Sequence, residues 1–200
     1  MSDKQKTLAS EYTFNGVGLH TGREVTMTLK PAPVNTGFVF VRTDLEGNPH
    51  IEADANYVTS TERGTTIEKK GVKIHTTEHL LAALTGMDLD NVLIEINNSE
   101  VPILDGSSAI FIDKFEAVEK AGIEEQDEDR EYFVVKEIVT YTDPETGSEI
   151  TAIPADEYQV TTMVDFGTKV LGTQNASIKS MSEFKDEIAN ARTFSFLHEI

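Results

Sequence analysis

Between Val72 and Leu84 the spacing of apolar residues changes from the two-residue period of a strand to the 3.6-residue period of a helix. Val72 and Ile74 form a β-branched run, Thr76 and Thr77 follow, and Leu80, Leu81 and Leu84 share one helical face that Gly86 closes. This stretch is therefore expected to fold as a strand feeding a helix over about Thr77 to Thr85, with Glu78 and His79 on the first helical turn. With Thr76 as N-cap, these two would be the second and third helical residues. The positive end of the helix favours a carboxylate and a neutral imidazole there. Consecutive side chains diverge by about 100° around a helix. His79 could thus hold a metal ion while Glu78 reaches a water bound to it.

The same letters allow other readings. Taken alone, the pair reads more readily as a dipole partner beside a surface imidazole. His75-Thr76-Thr77-Glu78-His79 also spells H-x-x-E-H, an inverted zinc-protease motif. That chemistry needs both histidines one turn apart on one helix, whereas Val72, Ile74 and the threonine pair make His75 a strand end.

Around this segment the first 125 residues read as strands, helix, strand, helix. Gly16 to Gly22 is a glycine-punctuated turn. Val25, Met27 and Leu29 alternate with threonines as a half-buried strand does, and Phe38 to Val41 is another strand. Lys69-Lys70-Gly71 between two short β runs signals a hairpin. Val92 to Ile96 is an apolar strand, and Phe111, Phe115 and Val118 mark a second helix over about Ala109 to Ala121. Residues 124–131 then carry six acids in eight positions, too dense to bury, and predict a solvated linker at 126–131. Strands are expected to resume at Tyr132 to Val135, near Thr140, at Glu149 to Ile153 and at Tyr158 to Asp165. Ser180 and Glu183 fit a capping box for a third helix with Phe184, Ile188 and Ala191 on one face. Arg192 to Phe196 alternates like a strand or tight loop. Two blocks, 1–125 and 132–200, thus each place β-rich sequence before a helix, which predicts an α+β fold of two layered domains, the second incomplete.

Composition narrows the chemistry. Seventeen basic against 35 acidic side chains give a net charge of −18, which repels phosphate backbones and anionic lipid heads. No cysteine is present, so disulfides and thiolate metal sites are excluded and any metal must rest on His, Asp or Glu. No apolar run is long enough to cross a bilayer, and Met1 to Glu11 lacks the apolar core of a secretory signal. The cytoplasm is the simplest compartment.

Read in order, Gly16-Val17-Gly18-Leu19-His20-Thr21-Gly22, Leu29-Lys30-Pro31-Ala32-Pro33, Asn35-Thr36-Gly37, Arg42-Thr43-Asp44, Thr77-Glu78-His79-Leu80, Asp90-Asn91, Pro102-Ile103-Leu104-Asp105-Gly106-Ser107 and Ala191-Arg192-Thr193-Phe194 carry a resemblance over essentially the whole chain. The chain resembles the N-terminal two-thirds of the UDP-3-O-acyl-N-acetylglucosamine deacetylases, zinc amidohydrolases of lipid A synthesis in Gram-negative bacteria. The resemblance implies two α+β sandwich domains with the site between them, Zn2+ as cofactor and the acylated UDP sugar as substrate. It implies His79 as a zinc ligand, Glu78 as catalytic acid/base and Thr193 as a hydroxyl that stabilises the oxyanion. Phe194 would pack on the sugar, Asp165 and Phe166 would contact the uracil ring, and His20 would lie near the site. The remaining zinc ligands and a histidine acid belong to motifs expected after Ile200. His50, His75 and His198 are expected in structural or surface roles. Some members are fused to a dehydratase domain. The competing reading is a non-catalytic fragment that binds a UDP sugar or a structural partner.

Overall fold

The computed structural model describes residues 4–116 and 122–194. In chain order the elements are β1 (Lys4–Leu8), β2 (Tyr12–Val17), β3 (Glu24–Pro31), β4 (Phe38–Arg42), β5 (His50–Glu52), β6 (Val58–Ser60), β7 (Thr66–Lys69), β8 (Val72–Ile74), α1 (Glu78–Gly86), β9 (Val92–Ile96), α2 (Ala109–Glu116), β10 (Ile123–Asp129), β11 (Val139–Thr142), β12 (Glu149–Ala152), β13 (Val160–Asp165), β14 (Thr173–Ile178) and α3 (Phe184–Glu187). This is the expected α+β class. The chain divides into two compact units, residues 1–129 together with 184–200, and residues 130–183.

The first unit is built on a five-stranded sheet in the order β2-β3-β9-β4-β5. Only the β4–β9 pair is parallel, and the segment between those strands carries β5 to β8 and α1. Alternation places Val25, Met27 and Leu29 of β3 and Val92, Ile94 and Ile96 of β9 in the core. The α2 stripe expected from Phe111 and Phe115 is buried, and Phe14 of β2 packs against both rings at 5.0 and 6.4 Å. The predicted extension of α2 to Ala121 falls outside the described residues. The β6-β7-β8 sheet contains the expected hairpin. Its two loop residues, Lys70 and Gly71, have φ of 51° and 81°, the left-handed pair a two-residue turn requires.

The acidic run differs from expectation. Ile123–Asp129 is a strand paired antiparallel with β1, not a linker. The register slips between Lys4 and Lys6, so the strand does not follow a simple two-residue alternation: only Ile123 and Gln126 are partly covered, and the acids face water. Its partner β1 hides polar residues. Gln5 is buried and bonds Asn35 at 2.7 Å and the Asp129 carbonyl at 3.1 Å, and Asn91 donates to both Gln5 and Gln126 at 2.8 Å. The chain also returns. Residues 184–194 belong to the first unit, not to the expected block 132–200.

In the second unit β11 pairs with β12 and β13 with β14, both antiparallel. Tyr132 to Val135 forms no strand, and Phe133 is 96% exposed. The expected capping box does not form: the Glu183 carboxylate accepts from the Lys179 N–H at 2.8 Å, the Ser180 hydroxyl accepts from the Ser182 N–H at 3.3 Å, and the helix is only Phe184–Glu187, so Ile188 and Ala191 lie outside it. Among the described residues no helix is long and apolar enough to cross a membrane.

Candidate active site

The approach to α1 departs from a simple strand-to-helix joint. After β8 the chain pairs once more, the His75 N–H donating to Ser99 at 2.8 Å and the Val101 N–H to His75 at 3.1 Å. Thr76 then takes φ +58°. A buried, β-branched residue in the left-handed region costs about 1–3 kcal/mol and persists only where its surroundings hold it. Here its hydroxyl donates to Glu100 Oε1 at 3.0 Å. Because that hydroxyl is committed, the N-cap is Thr77, one residue later than expected, and Glu78 and His79 become the first two helical residues. The Thr77 side chain makes no cap bond and donates instead to the Thr65 carbonyl at 3.2 Å.

Glu78 is held by one oxygen. Its Oε2 accepts the Thr65 N–H at 2.8 Å, and its Oε1 lies 4.0 Å from His79 Nε2. Both side chains are partly exposed, 36% for Glu78 and 19% for His79. Gly64 passes close by. A methyl group there would lie 3.2 Å from Glu78 Oε1, 3.6 Å from Thr76 Oγ1 and 3.8 Å from His20 Nε2. Glu78, Thr76 and His20 therefore converge beside Gly64, where a side chain would press on the Glu78 carboxylate. The His20 ring is also within 3.1 Å of the Arg63 carbonyl.

The returning segment reaches the same region. The His79 carbonyl accepts the Ser108 hydroxyl at 2.9 Å, and the Ser108 and Ala109 N–H groups donate to Ala189 at 3.1 and 3.0 Å. The Thr193 N–H donates to Gly106 at 3.0 Å, and Arg192 Nη2 reaches Asp105 Oδ2 at 3.0 Å. Thr193 is thus pinned to the turn that touches His79, and Phe194 follows it, 62% exposed. Asp165 and Phe166 belong to the second unit, at the β13–β14 hairpin, where Asp165 accepts the Gly167 N–H at 2.9 Å and the Phe166 N–H donates to Gly172 at 3.0 Å. His50 is exposed on β5, His75 Nδ1 lies 2.9 Å from the Thr66 hydroxyl, and His198 is outside the described residues.

Sequence reasoning missed Glu100 and Thr65. An acid after Asn97-Asn98-Ser99 looks like a surface loop residue, yet Glu100 is 1% exposed. Burial pushes its carboxyl up, but donation from His20, Thr21 and Thr76 outweighs that and holds it below the usual glutamate range. Burial also holds the His75 imidazole below its usual range, against the attraction of Glu100. Both folded-state values are depressed, so both contributions are whole above the unfolded values and fade as pH falls through the folded ones. The urea midpoint is expected to start falling below about pH 6.5 and to fall again below about pH 4.3. A midpoint flat across that range would contradict the assignment.

Among the described residues no group of three His, Cys, Asp or Glu side chains could hold a metal ion. These residues alone do not fit a complete catalytic zinc, which takes three protein ligands.

A family model described as UDP-3-O-acyl N-acetylglycosamine deacetylase, LpxC, matches residues 5–200. The bifunctional enzyme LpxC/FabZ of Chlorobaculum tepidum is 47% identical over 197 residues, covering 98% of this chain and 42% of its own length. The UDP-3-O-acyl-N-acetylglucosamine deacetylase of Hahella chejuensis is 43% identical, covering 98% of this chain and 65% of its own. That of Myxococcus xanthus is 40% identical, covering 100% and 62%. The chain therefore spans less than half of its bifunctional relatives and under two-thirds of these deacetylases. With a match running from Gln5 through the Glu78-His79 turn to the last residue, the chain belongs to the UDP-3-O-acyl-N-acetylglucosamine deacetylase family.

Proposed function

We propose that this chain supplies the proton-transferring part of a deacetylase site that hydrolyses the N-acetyl group of UDP-3-O-acyl-N-acetylglucosamine in lipid A synthesis. The observation that carries the reading is the asymmetric hold on Glu78. One oxygen is bonded to the Thr65 N–H at 2.8 Å, and the other faces the partly exposed space beside His79. A general base needs that arrangement, with one oxygen to fix orientation and one to take a proton. Oε1 accepts a proton from the attacking water as it adds to the acetamide carbon. The Thr193 hydroxyl, presented by the Gly106 turn, donates to the oxyanion that forms. Phe194 offers an exposed apolar face for the sugar, and Asp165 and Phe166 are assigned to the uracil ring on the family resemblance. The adduct then collapses, the C–N bond breaking as the amine nitrogen takes a proton from the histidine acid that the family resemblance implies outside these residues, and the products are acetate and the free amine.

Zinc dependence is part of this reading. His79 would give one ligand and residues outside these 200 the others. Bound zinc would supply Lewis acidity and an acidified water. A FabZ-type fusion partner, as in the name of the Chlorobaculum relative, and a cytoplasmic location complete the proposal.

The test is mass spectrometry of the UDP sugar after incubation with the zinc-loaded, full-length enzyme. Loss of the acetyl group is expected, while residues 1–200 alone should release no acetate. An unchanged sugar with the full-length enzyme would overturn the proposal.

A further inference from the structure

We infer that Glu100 is a positioning residue for the Glu78–His79 turn, holding both walls of the space at Glu78 Oε1 through Thr76 and the His20 loop. This rests on reading Glu78 as the acid/base group.

A carboxylate at 1% exposure has to have its charge met inside the protein. Here hydrogen-bond donors meet it. Oε1 accepts the His20 N–H at 2.9 Å and the Thr76 hydroxyl at 3.0 Å, and Oε2 accepts the Thr21 N–H at 2.8 Å. These donors come from two stretches far apart in sequence. One is the loop of residues 18–22, closed on itself by Gly22 N–H donating to Gly18 at 2.9 Å. The loop lies so tightly on the carboxylate that a methyl group at Gly18 would fall 2.3 Å from Oε2. The other is Thr76, in its left-handed conformation immediately before the site.

Each attachment has a consequence two residues away or less. Thr76 at φ +58° turns the chain from β8 into α1 and so sets the direction in which Glu78 leaves the backbone. The loop carries His20, whose Nε2 would lie 3.8 Å from a methyl at Gly64, on the spot shared with Glu78 Oε1 at 3.2 Å. The strained residue and the loop are thus fixed by one buried anion.

An amide cannot replace this carboxylate. Glutamine has one acceptor oxygen, so its NH2 would face either the Thr21 N–H or the His20 N–H and Thr76 hydroxyl. Glu100→Gln in the full-length enzyme is expected to lower kcat by about 10–100-fold, the loss typical of residues that orient a site's ligands. KM should stay within about 3-fold, because no substrate contact is removed. Hydrogen exchange should speed up at the His20 and Thr21 amides. Because a buried substitution can also impair folding, Thr76 gives a second, gentler test. Thr76→Ser keeps the hydroxyl and should retain kcat, whereas Thr76→Val keeps the shape and should fall like Glu100→Gln. Unchanged kcat in both Glu100→Gln and Thr76→Val, with Glu78→Gln inactive, would overturn the positioning role. Wild-type turnover in Glu78→Gln would overturn the acid/base reading, and the positioning role with it.

Discussion

Glu78→Gln is expected to lower turnover of the acylated UDP sugar by about 10²–10⁴-fold, with the fold intact. The separation of the two effects follows from what each oxygen does. The structural duty of Glu78 is to accept the Thr65 N–H through Oε2, and an amide oxygen can take that bond over. The proposed catalytic duty is to take a proton, which an amide cannot do at neutral pH. The side chain is 36% exposed, so the new NH2 can bond to water and is not stranded. The melting temperature of the variant should therefore match wild type while kcat collapses. A kcat near wild type would remove Glu78 from the reaction. Unfolding in place of inactivity would move it from chemistry to structure.

Phe184→Ala is expected to cost about 3 kcal/mol of stability. The ring is 7% exposed and presses on the end of α1, where a methyl group at Gly86 would lie 2.1 Å from Phe184 Cδ1. Gly86 thus serves a close approach as well as ending the helix. Phe184 also begins the short helix whose carbonyl accepts the Ile188 and Ala189 N–H groups at 3.0 and 2.9 Å. Ala189 in turn accepts from Ser108 and Ala109 beside His79, and Thr193 follows on the Gly106 carbonyl. Removing the ring should therefore loosen the whole path to Thr193. Urea denaturation gives the energy, and hydrogen exchange at the Ser108, Ala109 and Thr193 amides gives the path. A loss well under 1 kcal/mol, or undisturbed exchange at those amides, would refute the anchoring role.

Local pattern revealed the elements whose stability comes from apolar periodicity. β3, β4, β9, α1 and α2 all lie close to where spacing placed them. It failed where polar side chains do the packing. Met1 to Glu11 carries no apolar alternation that marks a strand, yet Gln5 and Thr7 are buried because Asn35, Asn91 and Ala32 satisfy them. The acids of Ile123–Asp129 read as a linker because charge density carries no information about pairing with β1. For the site, Glu78 and His79 were visible from the change of period, and the Gly16–Gly22 motif pointed to His20. The hub at Glu100 was not visible, because its donors lie 80, 79 and 24 residues away. The one-residue error at the N-cap has the same origin, since propensity assigns Thr76 to a cap while a distant carboxylate claims its hydroxyl.

The first unit is made of two pieces, with residues 130–183 interposed before the chain comes back at Phe184. During synthesis the sheet and both longer helices leave the ribosome well before Thr193 does. At about 5–20 residues per second, the nascent protein spends several seconds with the Gly106 turn and the end of α1 still uncovered. Translational pausing in that interval would prolong the exposure of Gly86 and the apolar surface beside it, making this the window in which a chaperone has most to protect.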